Sequence, residues 1–332
     1  MNVAVIGDGG WGTALALTLV RSGHAPRVWG PDAEYVAEIR RVRQNRKFLP
    51  GVELPDAIRW TADPDEALAG AEAAVMVVPS KYVRPTLERF AAAYRAAGAP
   101  PVVSATKGFD ESTQERMTEI LSELWGAKAP AALSGPSIAP ETARGVPTAV
   151  TVACADEALA RRFQELFAGD AFRVYTSDDV RGVELGGALK NVIAIAAGAC
   201  DGLGFGNNAK AALITRGLAE MARLGAALGA HPQTFYGLSG IGDLMVTCMS
   251  PQSRNRTVGE RLGRGESLER ILSGMEQVAE GVCACGPALA LAREAGVPAP
   301  VMEQVAAVLR RGKHPQDAVV ELMRRDPRAE RD

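Results

Sequence analysis

One lysine stands inside a run that is otherwise small or apolar, Gly-Gly-Ala-Leu-Lys-Asn-Val-Ile-Ala-Ile-Ala-Ala-Gly, which begins at Gly186 and places the charge at Lys190. At helical spacing its neighbours are Gly186, Gly187, Ile193, Ala194 and Ala197, because residues three, four and seven apart share a face. Glycine inside a helix costs about 0.5–1 kcal/mol against alanine, so a pair of them predicts that another backbone or a ligand comes close beside the lysine. Spacing alone leaves two roles open, a side chain snorkelling from a packed helix or an acid/base. The three histidines, His24, His231 and His314, show no second His at metal-ligand spacing. No metal is expected, and a general base is expected to be something other than histidine.

Four later segments read as loops at strand or helix ends, where functional side chains concentrate. Lys107 follows a β-branched run in Ser-Ala-Thr-Lys-Gly. Ser134-Gly135-Pro136-Ser137 forms a turn before a helix, and glycines flank Asp243. Arg254 and Asn255 open a helix whose first N–H groups suit an anion. Taken singly, these are a solvated strand end, a structural turn, a helix cap and a surface charge. Taken together they offer two lysines, an arginine and a carboxylate, a set that fits a small anionic substrate such as a phosphate.

The N-terminal stretch Val-Ala-Val-Ile-Gly-Asp-Gly-Gly-Trp-Gly-Thr-Ala-Leu-Ala is a strand, a glycine-rich turn and a helix, with Gly7, Gly9 and Gly12 in the G-x-G-x-x-G pattern. The first glycine serves the tight turn, the second the approach of a pyrophosphate, and the third the packing of helix on strand. A dinucleotide, NAD or NADP, is the expected ligand. The acid that reads the ribose is expected about 20 residues further on. Gly30 stands at the strand end and Asp32 two residues beyond it. Asp32 suits either the ribose hydroxyls of NAD or the cap of the next helix. The basic run 40–47 suits either a 2′-phosphate or a solvated helix end.

Elements that position these residues follow from hydrophobic period. Seven β-branched or apolar runs in the first half are strand candidates: Asn-Val-Ala-Val-Ile-Gly, Pro-Arg-Val-Trp-Gly, Ala-Ala-Val-Met-Val-Val-Pro, Pro-Pro-Val-Val-Ser-Ala-Thr-Lys-Gly, Ala-Ala-Leu-Ser-Gly-Pro, Thr-Ala-Val-Thr-Val-Ala and Ala-Phe-Arg-Val-Tyr-Thr-Ser. Helical stretches such as 13–21 and 84–95 separate them, which predicts an α/β fold with a Rossmann-like, mostly parallel sheet covered on both faces. After Ser177 the period turns helical. The expected division is residues 1–182, a dinucleotide-binding domain, and residues 183–332, a mainly α-helical substrate and catalytic domain. The charged tail 324–332 is expected to fray.

At 332 residues, with 47% hydrophobic residues and 35 glycines, the chain can bury two cores. A net charge of −2 without a long basic block argues against nucleic acid or an anionic membrane surface as partner. The start carries no basic leader, and no uninterrupted apolar run of membrane-spanning length is expected. The cytoplasm is the expected compartment. Five scattered cysteines, an odd number, read as reduced thiols, and the Cys283-x-Cys285 spacing suits neither a redox nor a zinc pair.

The chain resembles bacterial NAD(P)-dependent glycerol-3-phosphate dehydrogenase over nearly its whole length. The stretches that carry the resemblance include Gly-Asp-Gly-Gly-Trp-Gly-Thr-Ala-Leu-Ala, Val-Val-Pro-Ser-Lys-Tyr-Val, the run from Phe172 to Gly198, Gly-Ile-Gly-Asp-Leu-Met-Val-Thr-Cys and Gln-Ser-Arg-Asn-Arg-Thr-Val-Gly. The resemblance implies interconversion of dihydroxyacetone phosphate and sn-glycerol 3-phosphate, a precursor of glycerophospholipids, by a homodimer. Carried onto matching positions, it implies that Lys190 donates or accepts the proton. Lys107, Gly135, Ser137, Asp243, Ser253, Arg254 and Asn255 are implied as substrate contacts. Gly10, Trp11, Ala139, Val278 and Glu280 are implied as cofactor contacts, with Lys107 and Arg254 near both ligands.

Two departures stand out. Gly10 replaces a serine common in the family, and Pro31-Asp32 replaces the His or Arg often found after the second strand, which weakens the case for a 2′-phosphate site. In the mechanism so implied, Lys190 needs no depressed pKa to give a proton but must be neutral to take one. Burial would lower its pKa, and Asp243 would raise it and orient the ammonium. Gly186 and Gly187 are expected to clear room for substrate and cofactor. The rival readings are a related two-domain dehydrogenase of a 3-hydroxy acid or sugar acid, and a nucleotide sensor without turnover.

Overall fold

The computed structural model describes residues 1–326 together with Ala329 and Glu330; the other positions of the charged tail lie outside the described residues. Eight strands form one sheet in the order β3-β2-β1-β4-β5-β6-β7-β8. They are β1 (Asn2–Ile6), β2 (Ala25–Trp29), β3 (Arg59–Thr61), β4 (Ala73–Met76), β5 (Val102–Ser104), β6 (Ala131–Ser134), β7 (Thr148–Ala153) and β8 (Phe172–Ser177). All neighbouring pairs are parallel except β6 with β7. Side chains alternate between two cores, Val3 and Val5 entering one and Ala4 and Ile6 the other. Such period-2 burial on both faces is what a helix-covered parallel sheet requires.

One strand, β3, falls outside the seven expected from sequence. It has three residues and lies at the sheet edge, too short to show an alternating pattern. The chain order reverses at β1, which lies between β2 and β4. In open α/β sheets, ligands settle outside the carboxyl ends of the strands at such a reversal. Ile6 aligns with Met76 and Met76 with Ser104, so β1, β4 and β5 end level with one another, while Ser104 aligns with Ala132 and β6 runs two residues further, to Ser134. The loops that follow them carry the glycine fingerprint, Ser80, Lys107 and Gly135-Ser137 along a single edge.

Beyond β8 the chain turns helical. The helix Val180–Gly202 is capped by Asp179, whose carboxylate accepts the Gly182 N–H. Its mean hydropathy of 1.4 makes this helix long and apolar enough to cross a membrane although charges interrupt it, and 89% of that window is buried inside the protein, as in the core helix of a globular domain. Of the four charged residues in it, Arg181, Glu184, Lys190 and Asp201, the two buried ones, Glu184 and Lys190, are both in ion pairs. Helices Asn207–Ala227, Asp243–Met249, Arg254–Gly263 and Glu280–Glu294 surround it.

Contact with helix Arg254–Gly263 is closest. A Cβ at Gly198 would collide with the Arg256 carbonyl, one at Gly202 with that of Glu260, and one at Gly259 with that of Ile195. Glycines on both helices thus let the backbones touch where any side chain would wedge them apart. By helix propensity alone Gly259→Ala would stabilise by about 0.5–1 kcal/mol. The packing predicts the opposite sign, a loss of about 1–3 kcal/mol from overpacking, to be read as a lowered midpoint in urea. An unchanged or raised midpoint would refute the contact.

Candidate active site

The fingerprint loop meets the requirements of a pyrophosphate cradle position by position. Gly7 has φ +132°, and a Cβ there would lie 2.9 Å from the Val77 carbonyl carbon. Gly9 has no atom within 4 Å of its would-be Cβ, so its approach side is open, whereas a Cβ at Gly12 would strike the Gly7 carbonyl. The helix Gly10–Arg21 that follows has no side-chain cap, so its leading N–H groups remain available to an anion. These residues fit a dinucleotide.

Gly10 is buried, and a Cβ there would lie 2.6 Å from the Phe48 carbonyl oxygen. A serine at this position therefore requires the Phe48 segment to move. Trp11 packs against Phe172 with ring centroids 6.5 Å apart, and its buried indole N–H has no partner among the described residues. Asp32 is exposed and caps the helix Ala33–Val42, its Oδ1 accepting the N–H groups of Glu34 and Tyr35 at 3.0 and 3.1 Å. Of the two roles open to Asp32, the cap is the one drawn in hydrogen bonds. In the basic run, Arg43 is tied to the Leu54 carbonyl, while Lys47 is exposed and lies over the Tyr35 and Phe48 rings.

Lys107 and Lys190 converge on one carboxylate. Lys190 Nζ donates to Asp243 Oδ1 at 2.8 Å, and Lys107 Nζ to Asp243 Oδ2 at 2.5 Å. Asp243 is the first residue of its helix, and its side chain serves the lysines rather than capping. Lys190 also donates to Thr247 Oγ1 at 2.6 Å, and that hydroxyl donates back to the Asp243 carbonyl. Lys107 completes its set with the Gly135 carbonyl at 2.9 Å and Ser137 Oγ at 3.0 Å. An ammonium has three N–H donors. Among the described residues Lys107 uses all three, whereas Lys190 uses two and keeps one.

Burial raises the Asp243 carboxyl, but the two ammonium groups outweigh it and hold the pKa below the ordinary carboxylate range. Burial pulls Lys190 down to about 8, helped by the nearby Lys107 charge and opposed by Asp243. A lysine poised there can change protonation near neutrality, as a catalytic acid/base must.

The two glycines before Lys190 let other parts of the chain come close, as the glycine pair predicted of a backbone or a ligand. A Cβ at Gly186 would lie 2.6 Å from the Ser239 carbonyl oxygen, and one at Gly187 would lie 2.6 Å from Ser134 Oγ and 3.5 Å from Lys107 Cγ. They admit protein atoms and bring the lysine's helix against the loops that carry its partners.

Around this centre, Arg254 is exposed and donates through Nη1 to the Val278 carbonyl at 2.9 Å. Ser253 caps the Arg254 helix by accepting the Arg256 N–H at 3.2 Å. Asn255 is buried, donates to Asn191 Oδ1 at 2.8 Å and accepts the Gly281 N–H at 2.9 Å, which fixes its amide and uses one of its two N–H donors. Glu280 reaches across to the loop after β4, where it accepts from the Ser80 N–H and hydroxyl. Burial pushes its carboxyl up, against the pull of Ser80 and of Arg254. Ala139 opens the short helix Ala139–Ala143 just beyond Ser137.

Sequence reasoning passed over Thr247, Asn191 and Ser80. Thr247 was findable, since it follows Asp243 by four residues and so shares its helical face. Asn191 and Ser80 had no local signal, because their partners, Asn255 and Glu280, lie far along the chain.

Two family models cover the chain: the NAD-dependent glycerol-3-phosphate dehydrogenase N-terminus matches residues 2–160, and the corresponding C-terminus matches residues 179–320. A glycerol-3-phosphate dehydrogenase [NAD(P)+] of Citrifermentans bemidjiense is 49% identical over 99% of this chain and 98% of its own length. The Geobacillus kaustophilus protein of the same name is 49% identical over 100% of this chain and 96% of its own. Among solved structures, the glycerol-3-phosphate dehydrogenase of Coxiella burnetii superposes with a TM-score of 0.93 at 37% identity, covering 98% of this chain and 99% of that one. A ketopantoate reductase of Ralstonia eutropha shares the fold alone, at 17% identity and a TM-score of 0.62 over 96% of this chain and 100% of its own. A Rossmann-like sheet joined to a helical half, matched by both family models and by relatives of nearly equal length, makes this chain a member of the NAD-dependent glycerol-3-phosphate dehydrogenase family.

Proposed function

We propose that this chain interconverts dihydroxyacetone phosphate and sn-glycerol 3-phosphate with NAD(H) or NADP(H), and that Lys190 moves the proton. One observation carries the reading: Lys190 is held by Asp243 and Thr247 with one N–H to spare, at the same sheet edge as the dinucleotide cradle. The names of relatives that match over nearly their full length support the substrate.

When bound, a nicotinamide supplies hydride to the ketone carbon or removes it from the alcohol carbon; the residues of this chain do the rest. In reduction, the free N–H of Lys190 donates to the carbonyl oxygen as negative charge gathers there, and the neutral amine remains. In oxidation, the neutral amine takes the hydroxyl proton. Asp243 and Thr247 fix the direction of that transfer by anchoring the other two N–H positions. Lys107, with its donors committed to Gly135, Ser137 and Asp243, acts on substrate through its charge and through the position it gives the carboxylate.

Arg254 keeps the rest of its guanidinium for the phosphate, beside the leading N–H groups of the helix that Ser253 caps. Asn255 locks that helix to Asn191 next to the catalytic lysine and keeps its second amide N–H to complete the phosphate contact. Gly10, Trp11, Ala139, Val278 and Glu280 belong to the cofactor side of the same cleft. Residues 1–182 and 183–332 are the proposed domains, a division supported by the separation of the sheet cores from the helical core. A cytoplasmic homodimer feeding glycerophospholipid synthesis completes the reading on the family resemblance.

Since Lys190 must be neutral to accept a proton, the oxidation rate should rise as pH climbs through about 8, and the reduction rate should fall over the same range. An oxidation rate flat from about pH 7 to about pH 10 would exclude a lysine base. Asp243→Asn removes the charge that supports the ammonium; the limb should move to lower pH while kcat drops roughly 10²-fold or more. Arg254→Ala should raise KM for dihydroxyacetone phosphate by roughly 10- to 100-fold, the loss of charge-assisted hydrogen bonds to phosphate. Wild-type KM in that variant would place the phosphate elsewhere. Turnover of hydroxy acids with none of dihydroxyacetone phosphate would favour the rival dehydrogenase.

A further inference from the structure

The acid expected at the end of β2 is missing from the chain at that point, where Gly30 stands instead. The structure fills the gap from another strand. A Cβ built on Gly30 would collide with the carboxylate of Asp8, the residue between the first two fingerprint glycines. Asp8 therefore puts its carboxylate where a side chain leaving β2 would begin, and the glycine at position 30 is what makes room for it.

Asp8 is held there firmly. Its carbonyl accepts from Asn45 Nδ2 at 2.7 Å and from Thr13 Oγ1 at 3.4 Å, and Asn45 also donates to Thr13 Oγ1 at 2.8 Å. The residue is 8% exposed. Among the described residues, its carboxylate accepts only its own backbone N–H and draws no donor from another residue, while the charges that act on it are Lys47 and Asp32. Burial pushes it up to about 6, against the pull of that N–H and of Lys47. It is thus largely ionised at neutral pH, yet buried and short of donors, which is a costly state for a carboxylate unless something supplies hydrogen bonds.

Resting on the dinucleotide reading above, we propose that Asp8 takes the part of the missing β2 acid: it accepts from the adenosine ribose hydroxyls and, with Asp32, repels a 2′-phosphate, making this chain prefer NAD(H) to NADP(H). The ribose hydroxyls provide the donors that Asp8 lacks. A 2′-phosphate would bring further negative charge against a fixed carboxylate in a poorly solvated place, an arrangement that costs affinity strongly. Lys47 is exposed and sits over two aromatic rings, so it screens that repulsion only in part.

The test is calorimetric titration of NADH and NADPH into the whole protein at neutral pH, with no substrate and no turnover. Wild type should bind NADH about tenfold or more tighter than NADPH, and Asp8→Asn, which keeps the shape and removes the charge, should narrow that ratio about tenfold, mainly by tightening NADPH. Asp8→Ser serves as the second variant and should narrow it in the same direction. Asp32→Asn should narrow it less, because Asp32 is exposed. A wild-type preference for NADPH, or a ratio that Asp8→Asn and Asp8→Ser leave within about twofold of wild type, overturns the assignment to Asp8 while leaving the dinucleotide site standing. Failure of wild type to bind either nucleotide overturns the dinucleotide reading itself, and this inference with it.

Discussion

A single buried carboxylate, Asp243, holds two lysines that come from opposite parts of the chain. Lys107 lies in the loop after β5, and Lys190 lies on the long helix of the second half. Asp243 and Lys190 are almost fully withdrawn from water, with side-chain exposures of 2% and 7%. Burying an ion pair gains little net stability, but removing one partner leaves an uncompensated charge at a cost of about 3–5 kcal/mol. The arrangement therefore works mainly as a constraint. The sheet loop, the long helix and the helix starting at Asp243 must come together for any of the three charges to be tolerated.

Other polar bonds across the same junction reinforce that constraint. Glu280 binds Ser80 after β4, and Glu184 on the long helix binds Arg116 and Thr118 from the first half of the chain. Asn191 donates to the Lys107 carbonyl at 3.3 Å and accepts from Asn255, linking the catalytic lysine's neighbour to the helix of Arg254. Each acceptor and donor here is satisfied by a residue distant in sequence, so the cleft has little freedom to rearrange without exposing several buried groups at once. Glycines on the long helix permit the packing that brings these groups within reach.

Much of the fold was legible because it rests on local patterns. Short β-branched runs alternating with helical stretches marked seven strands, and the glycine pattern at Gly7, Gly9 and Gly12 marked the turn at the β1 end, since each glycine answers a backbone requirement that sequence order alone imposes. The edge strand Arg59–Thr61 escaped because three residues carry no period. Charges interrupt the apolar run of Val180–Gly202, and the buried ones, Glu184 and Lys190, are paired with tertiary partners that the sequence does not name.

The sequence by itself determined which residues were chemically unusual: a lysine in a small apolar run, a carboxylate among glycines, an arginine opening a helix. It also determined the order of strand, turn and helix that brings their loops to one sheet edge. Only the tertiary structure decided how those residues divide their hydrogen bonds. It left Lys190 one N–H free and Lys107 none, turned Asn255 inward, gave Gly186 and Gly187 to protein contact, and put Asp8 in the space beside Gly30. The reason is physical: identity and local period act between near neighbours, whereas the occupancy of a donor or of a few ångströms of space depends on groups that meet only when distant segments pack.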